Sequence, residues 1–169
     1  MSDNAVEVEQ ARVEDAEAIA ALLERNREVE TLLLQPVDRV RAHVDEFVLV
    51  RGPTGLRGCA QLRRHRARIR ELMSVAVDPA DHGRGIGSAC VRACVERALA
   101  EDAALIWLAT SSPQFFARLG FEPMPMRRIP TAILLGKLAV VVRQPIRRWP
   151  AALLGGQRFM RWPAADPRA

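Results

Sequence analysis

Val75-Ala76-Val77-Asp78-Pro79-Ala80-Asp81-His82-Gly83-Arg84-Gly85-Ile86-Gly87-Ser88 joins a β-branched run, a loop with glycine at every second position, and the start of an apolar periodicity at Ala89, Val91, Cys94, Val95, Ala98 and Leu99. Strand, glycine loop and helix in that order turn backbone N–H groups toward an anion. Glycine tolerates positive φ and lets a ligand come close to the main chain. A helix start adds unpaired donors and the positive end of a dipole. Arg84 adds a formal charge within the loop. The chemistry this predicts is a phosphate or pyrophosphate cradle, set against a ligand-free strand-to-helix turn.

The loop's spacing separates the candidate cradles. A nucleotide-hydrolase loop ends in Gly-Lys-Ser/Thr, and the only lysine here is Lys137. A dinucleotide fingerprint is G-x-G-x-x-G, whereas this loop is G-x-G-x-G. What remains is Q/R-x-x-G-x-G/A, with His82 in the first position. That loop, with its flanks, resembles the GNAT acetyl-CoA-dependent N-acetyltransferases. Arg70-Glu71-Leu72-Met73-Ser74-Val75-Ala76-Val77 is similar to the fourth strand of that family, and Phe115-Phe116-Ala117-Arg118-Leu119-Gly120-Phe121 to its F-Y-x-x-x-G-F signature. The specific resemblance covers residues 69–122. Gly58-Cys59-Ala60-Gln61-Leu62, then Glu71-Leu72, Ala76-Val77-Asp78-Pro79 and Leu108-Ala109-Thr110, is nearest to the N-acetylglutamate-synthase-like, amino-acid N-acetyltransferase members.

The resemblance implies an α/β fold, a mixed, mainly antiparallel sheet of about six to seven strands flanked by about four helices, and the charge distribution adds a basic C-terminal extension. It implies acetyl-CoA as co-substrate, held by Val75, Ala76 and Val77 through an added-strand contact, by His82, Gly83, Arg84, Gly85, Ile86, Gly87 and Ser88 through the pyrophosphate, and by Phe115 and Phe116. A bulge in the fourth strand would open the cleft for the thioester. Catalysis is expected by direct attack in a ternary complex on a small amine, such as the amino acid glutamate. Glu71 is the candidate catalytic residue, a general base acting through water. Its alternative role is a salt bridge with neighbouring arginines. Two departures count. The family's tyrosine acid is replaced by Phe116, and the chain contains no tyrosine. The relatives' L-P-R-S stretch reads Leu33-Leu34-Gln35-Pro36, without its arginine. A protein or peptide N-acetyltransferase and a non-catalytic acyl-CoA-binding module therefore stand as alternatives.

Composition bounds these readings. The 169 residues, 49% hydrophobic and 27% charged, suit one globular domain. Three cysteines argue against a disulfide framework, and Cys90 and Cys94 read as core-facing. Residues 1–17 are acidic without an apolar run, so a cytoplasmic location is expected. No Cys/His spacing suggests a metal, and His43 and His65 lack a partner pattern. The net charge of +5 is lopsided, with nine of the 25 Lys/Arg and only one of the 20 acids in residues 127–169. The expected division is an acetyltransferase domain over 1–145 and a Trp/Arg-containing extension over 146–169. That extension is a candidate for peripheral membrane or protein contact, and a second copy of the chain is a candidate partner. Thr131–Val142 is too short and holds Lys137, which argues against a membrane span. The arginine-to-lysine bias, 24 to 1, gives no ground for nucleic-acid binding. Arg63, Arg64, His65, Arg66 and Arg68 form either a solvated hairpin end or a seat for an acidic group.

Periodicity places helices at 15–24, 37–47, 85–102 and 112–119, the last capped by Ser111 or Ser112 ahead of Pro113. Strands are expected at 47–51, 57–62, 69–77, 104–110, 121–127 and 138–143.

Overall fold

The computed structural model describes residues 6–26, 35–53, 55–125 and 158–163. The chain divides into two compact units, Met1–Trp107 and Leu108–Ala169, with one strand crossing the boundary.

The first unit is built on the hairpin that the alternation predicts. Strand β1 (Glu9–Gln10) pairs antiparallel with β2 (Phe47–Gly52), β2 with β3 (Gly55–Arg64), and β3 with β4 (Ile69–Val77). Strand β5 (Leu105–Thr110) then adds in parallel, Glu71 standing opposite Trp107. Helices α1 (Ala16–Arg25) and α2 (Val37–Ala42) cover one face, and Ile19, Leu22, Leu23 and Val40 pack there with Phe47, Leu49, Cys59 and Ala76. Helix α3 (Ile86–Ala100) contacts β2, β3 and β4. Its Ile86 comes so close to β3 that a Cβ on Gly58 would lie 2.4 Å from Ile86 Cγ2. Overpacking of this kind costs about 1–3 kcal/mol. Gly58→Ala is therefore expected to lower the urea midpoint by a corresponding amount, and an unchanged midpoint would show that α3 can retreat freely.

In the second unit, helix α4 (Pro113–Arg118) is followed by β6 (Glu122–Pro123), which pairs antiparallel with β7 (Arg158–Arg161). Phe115, Phe116, Phe121 and Trp162 form an edge-to-face chain with centroid spacings of 4.9, 5.8 and 5.2 Å. Seven strands thus make one mainly antiparallel sheet, ordered β1-β2-β3-β4-β5-β7-β6, with four α-helices among the described residues.

Several boundaries differ from the sequence reading. The helix expected over 37–47 stops at Ala42, because His43 leaves helical geometry at φ −129°, and Val44–Glu46 is a separate 3₁₀ turn. Neither serine caps α4 with its side chain. Instead Thr110 Oγ1 accepts the Ser112 N–H at 2.9 Å, while Pro113 occupies the first turn, where no N–H is needed. Of the strand expected over 121–127, Glu122–Pro123 is a strand, while residues 126–127 and the strand expected over 138–143 lie outside the described residues. Strand β7 falls within the segment read as an extension. It is held by Met160, which is buried, and by an Arg161–Glu122 ion pair at 3.6 Å.

The arginines at the β3–β4 hairpin are largely engaged by acids. Arg64 meets Asp45 at 2.6 Å and Glu101 at 3.3 Å, Arg70 meets Glu101 at 2.8 Å, and Arg68 pairs with Asp102. This favours the hairpin-end reading for Arg64 and Arg68 over a seat for an acidic ligand. Glu101 collects Arg64, Arg70 and Arg97. Burial raises its pKa, but the three guanidinium hydrogen bonds outweigh this and hold it at about 2. A carboxylate with a depressed folded pKa stabilises fully above its unfolded value and loses that contribution as pH falls through the folded one. With 25% of the side chain exposed, Glu101→Gln should cost about 1–2 kcal/mol at pH 7. Denaturation from pH 7 to 2 should show this difference shrinking below about pH 4.5.

Candidate functional site

The β3–β4 register breaks where the thioester cleft was expected. Cys59 pairs with Ala76 and Gln61 with Met73, so Ser74 and Val75 together face Ala60. Ser74 carries the extra residue at φ 53°, a left-handed conformation that costs a non-glycine residue energy. A buried polar chain holds it there. Gln35 Nε2 donates to Ser74 Oγ at 2.6 Å and to Gln61 Oε1 at 2.8 Å, and Gln61 Nε2 donates to Glu46 Oε2 at 2.8 Å. Ser74 Oγ is 3.5 Å from Gln61 Oε1, and Cys59 Sγ is 3.8 Å from the Ser74 carbonyl. Gln35, Glu46, Gln61 and Ser74 are all buried, so their mutual hydrogen bonds offset a desolvation cost that none could meet alone.

Beyond Glu71, no residue of β4 pairs with β5 among the described residues, although β4 continues to Val77. An unpaired strand edge offers donors and acceptors to an extended ligand. This stretch contains Val75, Ala76 and Val77 and leads directly into the glycine loop.

Asp78 opens that loop by accepting the Ala80 N–H, and Pro79–Asp81 makes a 3₁₀ turn. Arg57 grips Asp81 with both arms of its guanidinium, at 2.9 and 2.7 Å. This grip holds the Asp81 carboxyl below the usual carboxylate range and ties the loop to β3. Gly83 and Gly85 adopt φ 77° and 78°, with open space where a Cβ would lie, so backbone conformation rather than crowding calls for glycine. Gly85 is the N-cap of α3 and Gly87 sits in its first turn. The Ala89 N–H donates to the Gly85 carbonyl at 2.9 Å, so the amides of Ile86, Gly87 and Ser88 lie ahead of the helical ladder. The Arg84 guanidinium is 65% exposed, and one nitrogen is 3.7 Å from Asp81. His82 is exposed and its Nε2 lies 3.2 Å from the Val77 carbonyl, so the ring bridges the end of β4 to the loop. Loop, β4 edge and α3 start are thus one continuous donor-rich surface.

Glu71 is buried, and its Oε2 lies 2.9 Å from His65 Nε2. Sequence reasoning missed this pair and found His65 without a partner. Glu71 precedes the bulge residue by three positions, about 10 Å along the strand. Phe115 and Phe116 belong to the second unit, where Phe116 is buried and makes edge contacts with Phe115 and Phe121.

The three cysteines are free and buried. Burial pushes the Cys90 thiol up to about 12 and raises Cys59 and Cys94 further, so none is a nucleophile near neutrality. Among the described residues, no cluster of three His, Cys, Asp or Glu could hold a metal ion, and no helix is long and apolar enough to cross a membrane. A cavity of about 460 Å³ lies by α1 and α2, lined by Glu17, Ala20, Ala21, Glu24, Gln35, Pro36 and Val37. It shares Gln35 with the polar chain but includes neither Glu71 nor the glycine loop.

The strand thus bulges and loses its neighbour just ahead of a glycine loop. Residues 43–123 match the family model described as acetyltransferase (GNAT) domain, and the enzyme class of that domain is acyltransferase. Acetyl-CoA is the co-substrate of that class. No curated protein matches the sequence. Among solved structures, the chain is similar to Rv2747 from Mycobacterium tuberculosis in complex with CoA and NLQ, at 24% identity and TM-score 0.76, covering 94% of this chain and 99% of that one. It is also similar to N-acetylglutamate synthase from Neisseria gonorrhoeae complexed with coenzyme A and N-acetyl-glutamate, at 20% identity and TM-score 0.71. That likeness covers 95% of this chain but 35% of the synthase chain. PaiA N-acetyltransferase from Thermoplasma acidophilum in complex with coenzyme A shares 11% identity at TM-score 0.65, covering 94% of this chain and 98% of that one. At these identities the structural likeness concerns the fold.

Proposed function

We propose that the protein moves the acetyl group of acetyl-CoA to the amine of a small molecule, an amino acid such as glutamate, by direct attack in a ternary complex. The observation that carries this is the Ser74 bulge on a β4 edge that runs unpaired into the glycine loop. Pantetheine would pair along Val75–Val77. The pyrophosphate would rest on the amides of residues 83–88, with Arg84 and His82 beside it. A backbone N–H near the bulge would meet the developing oxyanion. Glu71 supplies the carboxylate that draws the acceptor's proton through water. Phe116 has no proton to give, so sulfur leaves as a thiolate, which a thiol pKa of about 8.5 permits.

The acceptor class rests on the likeness to the N-acetylglutamate-bound synthase and on the neighbourhood of the bulge. At Gln35 a neutral amide stands in the stretch where relatives carry an arginine. Its amide nitrogen is already committed to Ser74 and Gln61, so a carboxylate on the acceptor's side chain would be met by another group.

Thiol release from acetyl-CoA, measured with L-glutamate, other amino acids, polyamines and peptides and followed by the mass of the product, tests the reading. A product 42 Da heavier than one of the amino acids is expected. Acetyl-CoA binding without thiol release from any acceptor would replace this reading with that of a non-catalytic binding module.

A further inference from the structure

The contact between His65 and Glu71 reaches beyond a carboxylate acting alone. An ionised carboxylate only accepts hydrogen bonds, so at 2.9 Å the imidazole must donate through Nε2–H. A neutral ring donating from Nε2 leaves its lone pair on Nδ1. Among the described residues, Nδ1 of His65 has no hydrogen-bond partner. The two side chains also differ in access: 11% of the Glu71 side chain is exposed against 29% for His65. The carboxylate is the inner member of the pair and the ring its outward end.

The hairpin holds this arrangement in place. The His65 N–H donates to the Ile69 carbonyl at 2.9 Å and closes the turn, while Ala67 and Arg68 take φ 57° to complete it. Glu71 sits in register with Arg63 on β3 and Trp107 on β5, so its backbone is fixed from both sides. A ring whose tautomer and orientation are set by a recessed carboxylate is the usual construction of an imidazole base, since the carboxylate also stabilises the imidazolium that forms.

We infer that His65 Nδ1 is the atom that takes the acceptor's proton, directly or through one water, and that Glu71 acts behind it as the orienting carboxylate. This inference rests on the acetyl-transfer reading and refines where its proton goes. The acceptor ammonium gives one proton to Nδ1, and the imidazolium later returns it to solvent. The neutral amine then attacks the thioester carbonyl carbon. The C–N bond forms, the C–S bond breaks, and sulfur leaves with the bonding pair. The surplus proton on nitrogen passes through solvent to the thiolate, giving the amide and the CoA thiol.

The test uses the full chain with acetyl-CoA and, in separate assays, L-glutamate, spermidine and an alanine-initiated peptide. His65→Gln is expected to lower kcat at least about 100-fold, with KM for acetyl-CoA unchanged within about threefold. In His65→Ala, added imidazole should restore at least about a tenth of the lost rate, a rescue that a purely structural role would not show. The variant that combines His65→Gln with Glu71→Gln should be no slower than the worse single variant, because the two act as a unit. If His65→Gln keeps kcat within about threefold while Glu71→Gln is inactive, the inference is overturned and Glu71 is itself the base; acetyl transfer then stands. If wild-type protein releases no thiol with any of the three, the transfer reading falls and the inference with it.

Discussion

Glu71→Gln is expected to lower the rate of acetyl transfer about 100- to 1,000-fold, the range in which a positioned acid–base group contributes. The substitution keeps the side chain's size and can still accept the His65 Nε2–H at 2.9 Å, so the β3–β4 hairpin should fold as before. What disappears is the negative charge. Without it, an imidazolium or a protonated water at this point has no counter-ion in a buried setting, and deprotonation of the acceptor becomes costly. In the proposed site acetyl-CoA would contact other residues, so its dissociation constant should stay within about twofold. Steady-state kinetics with calorimetric titration of acetyl-CoA separates the two. A fall in affinity matching the fall in rate would place Glu71 in the binding site and remove it from the chemistry.

Gly85→Val carries the second large effect, on binding. Gly85 has φ 78° at the N-cap of α3, and a β-branched side chain is strained there although nothing crowds it. Relief of that strain would turn the peptide units at the start of α3 and take their N–H groups off the pyrophosphate that the proposed site would hold there. Losing two hydrogen bonds to a charged group at about 1.5–3 kcal/mol each weakens acetyl-CoA about 100-fold or more. Gly55→Val is the control, because Gly55 has φ 128° with open space in the β2–β3 hairpin and is not itself a residue of the loop. It should lower stability without changing affinity. Equal loss of affinity in both variants would mean that the effect is global destabilisation.

The parts of this site that could be read from sequence are those that depend on neighbours along the chain. The loop was legible because glycine at 83 and 85 answers to a backbone conformation, and α3 because Cys90, Val91, Cys94 and Val95 repeat at helical spacing and are buried. The hairpin strands followed from their own apolar runs. The rest depends on register and return. His65 and Glu71 meet only because a four-residue turn closes with the Ile69 carbonyl on the His65 amide. Ser74 gives no local sign of positive φ, because its conformation is held by Gln35, which approaches from a distant part of the chain. A closer reading of β3 could have flagged Gln61 as a polar residue on an otherwise buried strand. Strand β1 is two exposed polar residues without a pattern of its own, and β7 follows a long stretch whose charge, more than its alternation, dominated the reading.

Amide hydrogen exchange with and without acetyl-CoA tests the central claim most directly, since that claim concerns backbone N–H groups. The account predicts added protection confined to two stretches of the first unit, Val75–Val77 on β4 and residues 83–88 across the loop and the start of α3. Binding that leaves both stretches unprotected and shields others would contradict it, and the cradle would then be a turn without a ligand.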